Sequence, residues 1–244
     1  MGQKNRFDIL ILIARPAAGK SELIDYLKKV PVRERERRFH VGEFEEIDDF
    51  PMLWAWFEED KILADMGKDR LHTTPDGYFK HSYLWDLLIH RICLEYEKRL
   101  KKNPSYHDRV TAIIEFARGV MHGGFSRAFQ HLSKDVRMRS AALYIDVSYK
   151  ESVRKNRRRF NPDAPDSILE HSLPDSHMEA LYRKSDWESF SSTDPEYLAV
   201  HGVRMPYAVL ENEDDVTTKQ GEALGRRLEE TLARLWSFYK NREN

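Results

Sequence analysis

Residues 7–14, Phe-Asp-Ile-Leu-Ile-Leu-Ile-Ala, form a nearly unbroken apolar run that leads directly into Arg15-Pro16-Ala17-Ala18-Gly19-Lys20-Ser21. A strand covered on one face alternates apolar with polar residues, so a continuous run this short predicts a parallel strand buried on both faces. Residues 20–30 then predict a helix with Leu23, Leu27 and Val30 on one side. A buried strand, a tight loop and a helix in immediate succession constrain the chain more than any other feature it has.

The remaining pattern repeats the alternation. Further strands are predicted within 39–47, at 109–116, at 141–147 and at 207–210. Helices are predicted at 82–102, where Leu84, Leu88, Ile92 and Tyr96 recur at helical spacing, and around Phe125, Ala128, Phe129 and Leu132. Others are predicted at 149–160, 178–187 and 218–240. The dense charge of 28–38 reads as a solvated helix end and loop. The expected fold is therefore α/β, a five-stranded, mainly parallel sheet flanked by helices. It is read as a single domain, with a helical, aromatic-rich insert at about 52–108 and a lid at about 150–187.

The formal net charge of −1 gives no global sign of a nucleic-acid or membrane partner. No apolar stretch reaches the length of a membrane-spanning helix. The single cysteine, Cys93, excludes an intramolecular disulfide and suits a reducing, cytoplasmic setting; its apolar helical surroundings read as structural. The ten histidines include no pair or Cys-His cluster at zinc spacing. No Gly-x-Ser-x-Gly elbow is present. His122-Gly123-Gly124 reads as a helix-preceding loop or as a tight turn that admits a ligand.

The segment 14–21 follows G-x-x-x-x-G-K-[ST], a strand-to-helix phosphate loop, with Ala14 in place of the first glycine. The backbone N–H groups of Ala17, Ala18, Gly19, Lys20 and Ser21 would face phosphates, aided by the helix N-terminus. Lys20 would hold the β- and γ-phosphates of ATP (or GTP), and Ser21 would coordinate Mg²⁺.

At this point the chain resembles the P-loop nucleoside and nucleotide kinases. The resemblance implies a parallel sheet, a mobile lid, an acceptor-binding insert and a Mg²⁺–nucleotide cofactor. Ile47-Asp48-Asp49-Phe50 looks like the Asp-Asp-Phe segment of uridine and nicotinamide-riboside kinases. Asp48 is then the candidate base for an acceptor hydroxyl, with Asp49 as the other choice and a helix cap as the plainer role. Glu115 ends a buried strand, which suits holding Mg²⁺ through water. Glu115-Phe116-Ala117-Arg118 is similar to the Glu-Arg-Ser segment of deoxynucleoside kinases, with two residues inserted before Arg118, which would neutralise the acceptor or the transferred group; a strand-end ion pair is the plainer role. Arg154, Arg157 and Arg158 share a helical face and resemble lid arginines, Arg154 on the nucleobase and the others on transition-state charge; a solvated helix paired with local carboxylates is the alternative. Segment 161–174 would be the lid loop. Asn212, after the last strand, is a candidate base contact or a plain turn. Tyr78, Lys80, His81 and Trp85 are the insert's candidate acceptor contacts.

Together these features point to a kinase of a small molecule, a nucleoside or nucleoside monophosphate first, with a sugar, antibiotic or peptide as further acceptors. The rival class is a nucleotide-binding switch or regulatory ATPase, although no Asn-Lys-x-Asp guanine-reading motif is present. Oligomeric state is open, a homodimer included.

Overall fold

In the computed structural model, which describes residues 5–159 and 172–242, six strands form one sheet. Strand β1 (Ile9–Ala14) leads to helices α1 (Lys20–Lys29) and α2 (Val32–Phe39), then β2 (Glu43–Asp48). Two long helices follow, α3 (Asp49–Asp65) and α4 (Tyr83–Lys102), then β3 (Val110–Phe116). Short helices α5 (Gly124–Gln130) and α6 (Lys134–Arg139) precede β4 (Ser140–Asp146), and α7 (Tyr149–Arg159) follows it. After α8 (Asp175–Tyr182) and α9 (Trp187–Ser191) come β5 (Tyr197–Val200), β6 (Val203–Glu211), α10 (Val216–Lys219) and α11 (Gly221–Asn241).

The order is β2-β3-β1-β4-β6-β5, with five strands parallel and β5 antiparallel to β6. The sheet is thus six-stranded and mixed, which corrects the expected five. The missed strand belongs to a hairpin turned at His201-Gly202, both residues with positive φ, the conformation that matches the twist of paired strands. The last strand also starts earlier than expected, at Val203.

Strand β1 explains the layering. Ile9, Ile11 and Ile13 pack with α4 and α5 residues such as Ile89, Ile92 and Phe129. Leu10, Leu12 and Ala14 pack on the other face with Leu23 and Leu27 of α1 and Leu228 and Leu232 of α11. A strand buried this way needs apolar residues at every position, the run seen at 9–14. Cys93 lies in the first of these layers, buried, where burial pushes its thiol pKa up.

Other boundaries also differ from expectation. Residues 49–51, just after the strand expected within 39–47, are the first turn of α3, with Asp48 as its cap; Pro51 is tolerated there because first-turn N–H groups have no intrahelical partner. The charged segment after residue 30 is the helix α2, anchored by buried Arg35, which donates to the carbonyls of Leu27, Val30 and Gly42. The helix expected at 178–187 is two helices. Asp186, between them, accepts from Phe125 N–H and Ser126 N–H across the fold. A Cβ on Gly124 would lie 2.2 Å from that carboxylate, so the glycine turn makes room for Asp186. The expected final helix 218–240 is interrupted at Gln220. Most of the expected lid loop, 160–171, lies outside the described residues. Among those described, no helix is long and apolar enough to cross a membrane.

Candidate active site

The candidate phosphate loop occupies 15–19, between β1 and α1. Ala14 is the last residue of β1, fully buried and paired with Ile145 of β4. Positive φ falls instead on Ala17 (54°) and Gly19 (117°). The position that departs from the motif is therefore strand, where glycine has no conformational advantage. Gly19 is required on two counts: its φ, and the 2.4 Å that would separate a Cβ at this position from Thr217 Oγ1. Helix α1 follows Gly19 as its N-cap, with no side chain capping it, so its first-turn N–H groups stay open to an anion.

The loop is braced from behind. Asn212, fully buried, donates to the Ala18 carbonyl at 2.7 Å and to Thr217 Oγ1 at 2.8 Å. Ser152 Oγ donates to the Pro16 carbonyl at 2.7 Å, and Arg15 donates to the carbonyls of Tyr182 and Arg183. The Asn212 side chain lies under the loop, where its carboxamide satisfies the Ala18 carbonyl.

Strand register assembles the carboxylates. Glu115 of β3 pairs with Leu12 of β1 and with Asp48 of β2, so both acids end their strands beside the loop. Burial pushes Glu115 up to about 8, against the lowering charge of Lys20. Burial and then the charge of Asp49 push Asp48 up to about 6, while the Phe50 N–H it accepts at 3.0 Å pulls it down. Asp48 is thus both the helix cap and a carboxylate beside Lys20. Asp49 turns away to Arg118, 2.6 Å distant, and both are almost fully buried.

Between the loop and the insert lies a cleft of about 490 Å³ lined by Lys20, Ser21, Asp48, Asp49, Glu115 and Arg118. Phe50, Met52, Leu53, Trp85 and Tyr182 make its apolar wall. A larger groove, about 1040 Å³, runs between β6 and α11 and includes none of the phosphate-loop residues; the smaller cleft carries the titratable set and is the candidate site. Of the insert residues expected at the acceptor, only Trp85 lines the cleft. Tyr78 stacks on His177, His81 stacks on Tyr83, and Lys80 donates to the Arg70 carbonyl.

The arginines of the basic helix α7 fall into two groups. Arg154 pairs with Glu151 and Asp215, Arg158 lies 3.5 Å from Asp215, and Arg157 pairs with Asp175. Buried Lys155 is 2.6 Å from Asp215. Local carboxylates thus take up the shared face, and none of the three arginines lines the cleft. Arg159 does, and donates to Ser21 Oγ at 3.2 Å. Sequence reasoning passes over Arg159; its one signal is its place at the end of the helix nearest the loop.

Among the described residues no three His, Cys, Asp or Glu side chains gather as a metal site. A phosphate-bound Mg²⁺ needs less: one or two protein oxygens beside substrate phosphates and water. The Ser21 hydroxyl and the buried Glu115 carboxylate, flanking Lys20, suit that requirement.

No family model matches the chain, and no curated protein gives a significant match. Among solved structures, a gluconokinase from Sinorhizobium meliloti 1021 is similar over 95% of this chain and 95% of its own, at 14% identity and a TM-score of 0.43. The protein APE1195 is similar over 97% and 96%, at 15% identity and a TM-score of 0.35. Likenesses this low carry no argument about the reaction. The observed architecture is an α/β fold with a mixed six-stranded sheet flanked by helices, consistent with a P-loop kinase-like fold.

Proposed function

We propose that this chain is a kinase that moves the γ-phosphoryl group of ATP (or GTP) to a hydroxyl of a small molecule. The observation that carries the reading is the convergence of Lys20, Ser21, Asp48 and Glu115 on one cleft with an apolar wall opposite the loop. The N–H groups of 17–21 and Lys20 would bind the phosphates, while Ser21 and Glu115 would hold Mg²⁺, which supplies charge neutralisation when bound. Asp48 would take the hydroxyl proton, a task that suits a carboxylate whose pKa lies near 6. Arg159 would meet charge on the transferred group. The acceptor side would be the insert at 52–108 and the lid the region 150–187, in a chain that works in the cytoplasm on neither nucleic acid nor membrane.

The test is acceptor-dependent ADP release with Mg-ATP against nucleosides, nucleoside monophosphates, sugars and vitamins. Wild type and Lys20→Ala are run side by side. Release that falls roughly 10²–10³-fold in Lys20→Ala supports the reading. Bound ATP with no acceptor-dependent release by wild type across the panel would sink it in favour of a nucleotide-binding switch.

A further inference from the structure

The acceptor end of the cleft holds a cation that is already spent. Arg118 is 2% exposed. Its Nη1 donates to Asp49 Oδ2 at 2.6 Å and to its neighbour's carbonyl, Ala117 O, at 2.7 Å; Nη2 donates to Trp85 O at 3.3 Å. Its guanidinium carbon lies 5.1 Å from the Trp85 ring centre and 5.5 Å from that of Phe116. The charge is cancelled inside the protein, and the fork that would grip a phosphate or carboxylate is occupied.

We infer that the acceptor is uncharged, and that Asp49 is the residue that excludes phosphorylated or carboxylated acceptors by holding Arg118. The inference rests on the kinase reading and narrows it to acceptors such as nucleosides or free sugars.

The rest of the cleft agrees. Its other cations are Lys20 and Arg159, both beside the phosphate loop, and Arg99, whose Nε is 3.5 Å from Glu45 and whose Nη2 donates to the Glu46 carbonyl, while Nη1 has no partner among the described residues. His122, stacked 3.7 Å from Trp85, adds no charge, because burial and then the Arg118 charge hold its pKa at about 3. With Arg118 held by Asp49, Asp48 is the carboxylate that faces an acceptor beside the loop. An anionic acceptor would meet like charge at Asp48, a repulsive element that discriminates without any contact of its own. Phe50, Leu53, Trp85 and Tyr182 offer an uncharged ring or sugar apolar surface in its place.

The experiment compares acceptors in pairs that differ only in charge: a nucleoside against its 5′-monophosphate, and a hexose against its uronate. Both ADP release and equilibrium binding in the presence of Mg-ADP are measured. Wild type should prefer the uncharged member by at least about 10²-fold in kcat/KM and bind it more tightly. Asp49→Asn frees Arg118 and should shrink that ratio at least about tenfold by admitting the anion. Should Asp49→Asn fold poorly, Asp49→Asn/Arg118→Gln removes both charges and should keep the wild-type preference. Equal or better use of the anionic member by wild type overturns the inference while leaving the kinase reading standing. Turnover of neither member of any pair overturns both.

Discussion

Asn212 Nδ2 lies 2.7 Å from the carbonyl oxygen of Ala18, so the loop after the last strand holds the phosphate loop from beneath. The same side chain accepts from Thr217 N–H at 3.1 Å, which ties α10 into the brace. Asn212→Ala leaves a buried carbonyl without its donor, at a cost of about 1–3 kcal/mol. Mg-ATP affinity is expected to fall about tenfold by calorimetry, alongside a lower Tm. Unchanged affinity would mean that the loop keeps its shape without the brace.

Ala14→Gly restores the letter of the motif and should gain nothing. Ala14 is a fully buried strand residue, so glycine there adds freedom to the unfolded chain and removes packing. The expected outcome is a loss of roughly 1 kcal/mol in stability with nucleotide affinity no better than wild type. A tighter nucleotide complex would show that the loop begins one residue earlier than β1 indicates.

The arginines of α7 should separate by partner. Arg157 is exposed and paired with exposed Asp175, so Arg157→Ala should leave kcat within about twofold of wild type. Arg159 lines the cleft and reaches Ser21, so Arg159→Ala should lower kcat by roughly 10²-fold. Steady-state kinetics on the two variants decides the matter, and the opposite ranking would return the lid role to the shared arginine face.

Asp48 carries two roles that one substitution can part. Asparagine caps helices as well as aspartate does, so Asp48→Asn should keep the Phe50 N–H bond and leave Tm close to wild type. The base is lost, and kcat should drop roughly 10²–10⁴-fold with little change in KM for ATP. If kcat survives, the proton leaves by another route.

Legibility in the sequence followed burial. Strands β1, β3 and β4 are covered on both faces, so their apolar runs are unbroken, and α4 shows its period because one side faces the sheet. The start of α3 was hidden because Pro51 sits in its first turn, while α2 was hidden by charges whose key member, Arg35, satisfies carbonyls brought together only by folding. The turn at Gly19-Lys20-Ser21 between strand and helix, and the places of Asp48 and Glu115 near the ends of their strands, were readable from local order. Which arginine reaches the cleft was not, because that depends on Asp215 and Asp175, residues remote in the chain. The Asn212 brace was unreadable for the same reason.

Asp60 gives a pH signature away from the site. It is fully buried, which raises its pKa, but the Thr73 hydroxyl and the N–H groups of Leu71, His72 and Thr73 outweigh burial and hold it at about 2. A carboxyl depressed in the folded state from 3.8 stabilises above that value and loses its contribution as pH falls through about 2. Asp60→Asn should therefore unfold several degrees below wild type at about pH 6, and the two melting curves should converge as pH is lowered from about 4 toward about 2. A gap that stays constant with pH would assign the loss to shape alone.

The sheet ends in two unlike borders. On one side β2 presents exposed Glu43, Glu45 and Glu46, held by Arg109, Arg99 and Lys28 of the same chain. On the other, β5 spans only four residues and folds back as a hairpin. A visiting strand would have to lie along a row of acids at the first border and would find little length at the second. Growth of the sheet from molecule to molecule is resisted at both borders, which sets the fold against the ribbon-like stacking that an open, flat edge invites.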